Sequence, residues 1–243
     1  MTGILRVEAL NQRFGGLTAL NEVSFEIEEH EVLGVIGPNG AGKSTLFNAI
    51  VGLAPPVSGH VWFRGEDLVG QPLHRIVTRG VAKTSQTVQI FGDMSVLDNV
   101  AVAELVRHSS LAEARDAAYE QLVFWGLASH LGMLARDLTL AQRSTLELAR
   151  ALALSPAVLL VDEVMAGLNE LETDQMLERL MLANQERGVT LAVIEHNMRA
   201  LMRISHRILA LDYGEVIALG GPREVSTDPR VVEAYLGSAD AAA

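Results

Sequence analysis

One short stretch of this sequence combines glycine, lysine and hydroxyl residues at a spacing that can bind phosphate. It reads GPNGAGKST and fits the pattern G-x-x-x-x-G-K-[ST]. Glycines let successive backbone N–H groups point at phosphate oxygens, and the following helix adds a partly positive N-terminus. Lys43 can place a positive charge at the β- and γ-phosphates, and Ser44 can offer a hydroxyl to Mg²⁺. The predicted phosphate loop consists of Gly37, Pro38, Asn39, Gly40, Ala41, Gly42, Lys43, Ser44 and Thr45.

A second stretch, VLLVDE, ends in two adjacent acids. Its apolar residues, Val158–Val161, predict a buried strand that delivers Asp162 at its carboxyl edge, where the carboxylate can hold Mg²⁺ through water. Glu163 follows directly and can polarise an attacking water as general base. A strand that merely ends in two solvated acids is the alternative. The presence of the phosphate loop in the same chain favours a nucleotide site.

Strands followed directly by helices must position these residues. The apolar run Val32–Ile36 precedes the phosphate loop, and a helical pattern follows it from Lys43 to Val51. The same order recurs around a helix predicted over 170–187, between the apolar runs Val158–Val161 and Val189–Ile194. Buried strands alternating with helices predict a mostly parallel sheet covered on both faces. This context also counts against the alternative that the phosphate loop is only a glycine-rich turn.

Two regions depart from this alternation. Short strands are predicted over 3–8, 23–27 and 60–64, and a hairpin over 206–219 that turns at Asp212-Tyr213-Gly214. From about 95 to 153 the pattern is helical and poor in strands. It includes an amphipathic helix, closed by Gly126, whose buried face is predicted to consist of Leu111, Ala114, Ala118, Leu122 and Trp125. This region reads as a helical subdomain inserted into an α/β core.

With these motifs in place, the chain resembles the ATP-binding subunits of ATP-binding-cassette (ABC) transporters along nearly its whole length. Further elements of that family occur in order. Phe14, in RFGGL, matches the aromatic residue that stacks on adenine, and Gln86 matches the glutamine of the Q-loop. LTLAQ, at 138–142, occupies the position of the signature, and AGLN, at 166–169, that of the D-loop. His196, in VIEHNM, matches the switch histidine.

Each of these elements has a simpler explanation when taken alone. Phe14 can be a core aromatic at the end of a strand, Gln86 is uninformative, and His196 after an apolar strand is commonly structural. Thr139 and Gln142 are spaced as a capping box for the following helix. The buried face of that helix is predicted to consist of Ala141, Leu148, Ala149 and Leu152. The order of these elements along the chain, together with the spacing between them, favours the functional interpretation.

The resemblance implies a mechanism with ATP and Mg²⁺ as cofactors. Two ATP-binding subunits close head to tail, with ATP between the phosphate loop of one and the signature of the other. In the signature, the Thr139 hydroxyl and the backbone amides around Leu140, Ala141 and Gln142 would contact the γ-phosphate. Glu163 would orient water and His196 would hold the γ-phosphate. Lys43 would act on the phosphates, while Ser44, Gln86 and Asp162 would hold Mg²⁺.

The chain departs from the family pattern at several positions. The common signature is LSGGQ, and here Leu140 and Ala141 replace both glycines. The backbone N–H groups survive that change, whereas the close approach that glycine allows does not. Asn169 replaces the usual D-loop aspartate, and Ser85 stands where relatives often have an aromatic residue.

The stretches RFGGLTALNEVSFEI, DEVMAGLN and GEVIALGGPREVSTDPRVVEAYLG look most like ATPases of branched-chain amino-acid importers. The implied partners are membrane-spanning permease subunits, a second ATPase subunit and, indirectly, an extracytoplasmic solute-binding protein. Two alternatives stay open: an export or lipid-extraction ATPase, and a nonhydrolysing ATP-dependent clamp. The implied fold is α/β, a P-loop NTPase core with a mostly parallel sheet, an N-terminal antiparallel β subdomain and an inserted helical subdomain.

The resemblance also sets expected boundaries. One ATPase domain is expected over 3–236, with the antiparallel β subdomain within about 3–30 and 58–66 and the helical subdomain over about 90–153. A disordered tail is expected over 237–243.

Composition excludes several other classes. With 19 basic and 30 acidic residues, the formal charge is −11, which argues against gripping nucleic acid or anionic lipid through a basic face. There are no cysteines, so disulfides and thiolate chemistry are excluded. Mean hydropathy is high at +0.24, yet no apolar run approaches the ~20 residues that cross a bilayer. No signal peptide is recognised at the N-terminus, so the expected location is cytoplasmic, peripheral on the inner face of the cell membrane.

Overall fold

The computed structural model describes residues 3–85, 88–195 and 197–240, with side chains as far as Tyr235. The strands are β1 Leu5–Phe14, β2 Leu17–Ile27, β3 Val32–Ile36, β4 Ser58–Phe63, β5 Glu66–Asp67, β6 Val81–Lys83, β7 Val158–Asp162, β8 Thr190–Ile194, β9 Arg207–Asp212 and β10 Glu215–Gly220. The helices are α1 Lys43–Ile50, α2 Leu73–Arg79, α3 Val96–Glu104, α4 Leu111–Phe124, α5 Leu140–Ala153, α6 Glu170–Arg187, α7 Met198–Ile204, α8 Pro222–Thr227 and α9 Pro229–Asp240. The chain divides into two units, one formed by Met1–Ile76 with Thr190–Ala243 and the other by Val77–Val189.

The first unit contains an antiparallel sheet of order β2-β1-β4-β5. β1 and β2 form a hairpin whose turn, at Gly15 and Gly16, joins the pair Phe14 and Leu17. Both strands are longer than the expected 3–8 and 23–27, because their outer halves mix buried with exposed side chains and are held by backbone pairing rather than by a regular apolar pattern. A register shift between Val7 and Leu10 further breaks the alternation from which a strand is recognised.

The first unit also contains the strands that lead to the phosphate loop. β3 is entirely buried and pairs in parallel with β8 on one side and β9 on the other. β9 and β10 form the expected antiparallel hairpin, with Tyr213 and Gly214 at positive φ in its turn. The prediction of a buried, largely parallel core strand ahead of the loop is confirmed.

The second unit contains the parallel pair β6 and β7 together with the helices of the middle region. α3 packs against α4 and α5, which confirms the predicted helical, strand-poor segment. In α4, four of the five residues predicted to be buried are buried: Ala114, Ala118, Leu122 and Trp125. Leu111 is 52% exposed, so that prediction is wrong. It lies in the first turn beside the cap Ser110, and the buried face begins one turn later.

α6 has the bounds that the sequence predicts, because both ends carry local signals. Asn169 and Glu172 form a reciprocal capping box at its start, and Gly188 ends it with a φ of 65°. At the other end of the chain, α9 continues to Asp240, so residues 237–240 are helical where a disordered tail is expected. Within the described residues, no helix is both long and apolar enough to cross a bilayer.

Candidate functional site

The phosphate loop has a backbone shape that depends on its glycines. Gly37 and Gly42 have φ values of 151° and 100°, which side chains rarely allow. A Cβ atom at Gly37 would lie 2.2 Å from the carbonyl oxygen of Leu211, and one at Gly42 would lie 2.5 Å from that of Ala19. α1 begins directly after Gly42, so the loop delivers the N-terminus of a buried helix to one point.

Lys43 places its charge inside the loop. Its side chain is largely buried, and its Nζ donates hydrogen bonds to the carbonyl oxygens of Gly37 at 2.7 Å and Pro38 at 3.0 Å. A cation held by neutral carbonyls beside a helix N-terminus makes a strongly electropositive concavity. This arrangement suits an anion with several oxygens, such as the phosphates of a nucleotide.

Two distant segments brace the phosphate loop. The buried N–H of Gly37 donates to the hydroxyl of Tyr235, on α9, at 2.8 Å. The N–H of Gly214, in the β9–β10 turn, donates to the carbonyl oxygen of Ala41 at 3.0 Å. Sequence reasoning missed Tyr235, because a single tyrosine near the end of the chain belongs to none of the recognised motifs. The loop is therefore held in shape from outside its own motif.

Phe14 lies at the end of β1 and is 51% exposed, so the alternative that it is a core aromatic is wrong. Leu17, across the hairpin turn, and Tyr213 are also exposed. A groove of about 880 Å³ runs beside the phosphate loop and is lined in part by Leu17 and Tyr213. Exposed apolar side chains on this unit can cover the flat face of a base.

In the second unit, Asp162 is fully buried at the end of β7, as the sequence predicts. Its N–H donates to the Thr84 hydroxyl at 2.9 Å, and the N–H of Thr84 donates to the carbonyl oxygen of Leu160 at 2.9 Å. The Nζ atom of Lys83 lies 2.9 Å from Oδ2 of Asp162. Lys83 is a second residue that sequence reasoning missed, although it is a lone cation within the strand-like VAKTS.

Glu163 has a backbone conformation that is uncommon outside glycine. Its φ is 52°, in the left-handed region, and its side chain is half-buried. Non-glycine residues in sparsely populated backbone regions cost on the order of 1–3 kcal/mol and cluster at functional sites. This geometry turns the chain sharply between the buried Asp162 and the exposed AGLN segment, and it supports a functional role for the carboxylate.

The variant signature forms a capped helix start, which confirms the capping-box interpretation. The Thr139 hydroxyl accepts from the N–H of Gln142 at 3.3 Å, and Oε1 of Gln142 accepts from the N–H of Thr139 at 3.0 Å. Leu140 is 48% exposed, and a Cβ atom on Gly167 would lie 3.1 Å from its Cδ2. Leu140, which stands where the family has glycine, therefore packs beside the glycine of the D-loop segment.

α5 buries most of its predicted face, including Leu148, Ala149 and Leu152. Ala141 is only half-buried, because it lies in the first turn, beside the exposed cap.

α5 also holds both sides of the segment that contains Gln86. Oε1 of the buried Glu147 accepts from the N–H of Ser85 at 2.7 Å, and burial raises the pKa of this carboxyl. Arg150 donates to the carbonyl oxygen of Gln89 and stacks over the ring of Phe91 at 4.6 Å. Burial lowers the pKa of Arg150. Neither residue was singled out from the sequence, where both look like ordinary charges on a helix.

Two predicted site residues, Gln86 and His196, lie outside the described residues. Their neighbours are described. Ser85 is held by Glu147, and Asn197 caps α7 by accepting from the N–H of Ala200 at 3.1 Å. Across the described residues, no group of three or more histidine, aspartate or glutamate side chains is placed to hold a metal.

Family models match two parts of the chain. The model described as "ABC transporter" matches residues 20–166, and the model described as "Branched-chain amino acid ATP-binding cassette transporter" matches 215–241. The first range includes the phosphate loop, Asp162 and Glu163, and the second includes Tyr235.

Curated relatives match along nearly the whole chain. The high-affinity branched-chain amino acid transport ATP-binding protein LivG of Salmonella typhimurium is 36% identical, covering 97% of this chain and 98% of its own. The lipopolysaccharide export system ATP-binding protein LptB of Acidithiobacillus ferridurans is 32% identical, covering 98% of each chain. Among solved structures, the ADP conformation of an ATP-binding cassette of an ABC transporter superposes with a TM-score of 0.88 at 28% identity, covering 98% of this chain and 100% of that one.

Proposed function

This chain is an ATP-binding cassette ATPase of the ABC transporter family, and we propose that it powers import of branched-chain amino acids or related small solutes. The observation that carries the nucleotide role is the phosphate loop, whose glycine-dependent backbone surrounds the amine of Lys43. The solute class rests on the match of 215–241 to the branched-chain amino acid model and on relatives such as LivG.

In the proposed reaction, water attacks the γ-phosphorus of ATP, the bond to the β-phosphate oxygen breaks, and ADP and phosphate leave. Glu163 accepts the proton of the attacking water as general base, and His196 holds the γ-phosphate. Lys43 and the loop amides hold the β- and γ-phosphates, while Phe14 stacks on adenine. These assignments are supported by the buried amine of Lys43, the strained backbone of Glu163 and the exposed ring of Phe14.

Mg²⁺ is assigned to Ser44, Asp162 and Gln86. Hydroxyl, carboxylate and amide oxygens are the donors that this hard cation prefers, so the residue types fit. When bound, Mg²⁺ neutralises charge that develops on the phosphate oxygens. The chain contributes the rigid placement of Asp162, whose backbone is fixed by the buried hydroxyl of Thr84.

The signature residues Thr139, Leu140, Ala141 and Gln142 are assigned to the ATP held by a second ATPase subunit, so that two subunits close around two nucleotides. Permease subunits are the membrane partners, and an extracytoplasmic solute-binding protein acts indirectly. We place the permease contact beside the segment that contains Gln86. The exposed side chains of Phe91, Val102 and Val106 support this placement. The chain accordingly sits on the inner face of the membrane.

The test of the proposed chemistry is Glu163→Gln in the purified chain. ATP binding should persist while turnover falls roughly 10²–10⁴-fold, equivalent to about 3–5 kcal/mol of barrier. Glu170→Gln, at an exposed position of the next helix, is the matched control and should turn over normally. With ATP and Mg²⁺, the Glu163→Gln protein should form a dimer in size-exclusion light scattering. Near-normal turnover would remove Glu163 from the role of base.

The solute is tested with the complete transporter in proteoliposomes. Leucine, isoleucine or valine, added with the solute-binding protein, should stimulate ATP hydrolysis. The similarity to LptB favours one alternative, an export or lipid-extraction ATPase. In that case the same preparation should respond to a lipid substrate and not to amino acids.

A further inference from the structure

A buried amine stands beside the carboxylate that the proposed function assigns to Mg²⁺. The Nζ atom of Lys83 lies 2.9 Å from Oδ2 of Asp162, and the two side chains are 9% and 1% exposed. The strands that carry them, β6 and β7, pair in parallel with Lys83 opposite Leu160. The ion pair is therefore part of the sheet and does not depend on a mobile surface side chain.

Because both side chains are buried, the ion pair between Lys83 and Asp162 affects how a second cation can bind Asp162. A carboxylate removed from water needs a compensating charge, and Lys83 supplies one. Two cations that approach one carboxylate repel each other strongly in such surroundings, because solvent screens them little. A Mg²⁺ ion that reaches Asp162 therefore meets the positive charge of Lys83 already in place.

Lys83 also has other anionic and polar neighbours. Its Nζ donates to the carbonyl oxygen of Thr84 at 2.9 Å, so the amine keeps a partner if it moves away from Asp162. Its charge also stabilises the ionised form of Glu147, against the burial that raises the pKa of that carboxyl. Glu147 in turn accepts from the N–H of Ser85, next to Gln86. The amine of Lys83 thus interacts with two carboxylates: that of Asp162, which is assigned to the metal, and that of Glu147, which holds the segment containing Gln86.

We infer that Lys83 is a built-in counter-cation for Asp162 that competes with Mg²⁺, so that metal binding with nucleotide requires the amine to give up part of its pairing with Asp162. The inference rests on the proposed function, which assigns Asp162 to Mg²⁺. Lys83 acts here as a positioning residue: it holds the carboxylate of Asp162 in place, and it sets the Mg²⁺ concentration at which the site fills.

The test is a Mg²⁺ titration of ADP binding to the purified full-length chain, followed with a fluorescent ADP analogue. Lys83→Met, which keeps most of the length but removes the charge, should reach half-saturation at on the order of tenfold lower Mg²⁺ than the wild type. Lys83→Arg keeps the charge and should stay close to the wild type. Arg115→Met removes the exposed partner of Asp98 and is the control for loss of an unrelated ion pair.

Thermal melting gives a second readout that does not depend on activity. Without Mg²⁺, Lys83→Met should melt below the wild type, because the buried ion pair between Lys83 and Asp162 is lost. With Mg²⁺ and ADP that deficit should shrink, since the metal supplies the missing charge. Lys83→Gln, which removes the charge but keeps a polar side chain, keeps the test informative should the methionine variant fail to fold, and it should show the same shift in Mg²⁺ dependence.

Equal Mg²⁺ dependence in the wild type and both neutral variants would overturn the inference. A higher Mg²⁺ requirement in the variants would also overturn it, since Lys83 would then only orient Asp162. A wild-type chain that binds ADP with no dependence on Mg²⁺ would overturn the assignment of Asp162 in the proposed function, and this inference with it. The two failures are therefore distinguishable.

Discussion

The phosphate loop and the signature turn, residues 138–142, both end at the start of a helix. They differ in how the first backbone N–H groups of that helix are capped. At α1 the cap is Gly42, which has no side chain to accept from the first N–H groups of the helix. At α5 the cap is Thr139, whose hydroxyl accepts from the N–H of Gln142 within a reciprocal capping box. A glycine-rich loop depends on neighbouring segments to fix its backbone shape, whereas a capped turn is fixed by hydrogen bonds between its own residues.

This difference has a consequence for ligand binding. The phosphate loop is braced by groups outside it, Tyr235 and Gly214, which leaves its concave side to an anion. In the signature turn, a phosphate that reaches the N–H of Gln142 competes with the hydroxyl of Thr139 for that donor. The long distance of 3.3 Å makes this a weak bond that a charged ligand can displace.

The largest effect is expected from a substitution that changes the backbone of the phosphate loop itself. Gly37→Ala should lower the free energy of unfolding by about 2–3 kcal/mol and abolish measurable ATP binding, because its Cβ would meet the carbonyl oxygen of Leu211. Gly16→Ala is the control, since a Cβ there meets nothing within 4 Å. Thermal melting and equilibrium ATP binding measure both effects. Normal ATP binding by Gly37→Ala would show that the loop tolerates another shape.

The next effect tests the external brace. Tyr235→Phe removes the acceptor for the buried N–H of Gly37, so ATP affinity should fall on the order of tenfold, for a loss of about 1–2 kcal/mol. The turnover rate at saturating ATP should change less than the affinity. Tyr119→Phe, at an exposed tyrosine on α4, is the matched control and should leave ATP affinity unchanged. If both variants bind ATP like the wild type, Tyr235 does not hold the loop in its binding shape.

A smaller effect is expected at the self-capped turn. Thr139→Ala should cost about 1 kcal/mol of stability through loss of the cap, whereas Thr139→Ser should retain it. Both are measured by chemical denaturation of the isolated chain without nucleotide. Equal stability of Thr139→Ala and the wild type would contradict a structural role for the capping box.

The smallest effect concerns the helix that follows the signature turn. Burial raises the pKa of Glu147 in the folded state, so its contribution to stability is fully present below its unfolded pKa and is lost as pH rises through the folded value. Glu147→Gln keeps an acceptor for the N–H of Ser85 and should lose less stability than the wild type between mildly acidic and neutral pH. Denaturation midpoints across that range test this, and identical pH profiles would contradict it.

Local signals account for the parts of the fold that sequence reasoning located well. Both ends of α6 are predictable because Asn169 and Gly188 are cap residues next to them. The β9–β10 turn is predictable because Gly214 allows the positive φ that the turn needs. β1 and β2 were underestimated because their outer pairs are held by backbone hydrogen bonds, which leave no apolar period. Leu111 was misplaced because helical spacing identifies a face but not where along the helix that face becomes covered.

The order of residues along the chain was enough to locate the phosphate loop, the acids Asp162 and Glu163, the capped signature turn and the family, because each depends on neighbours a few positions apart. Only the folded chain brought Tyr235 to Gly37, 198 positions away, and Glu147 to Ser85, 62 positions away. It also placed Lys83 against Asp162. Such pairs arise from how strands and helices pack, and a charged or hydroxyl side chain has no pattern in sequence that announces its distant partner.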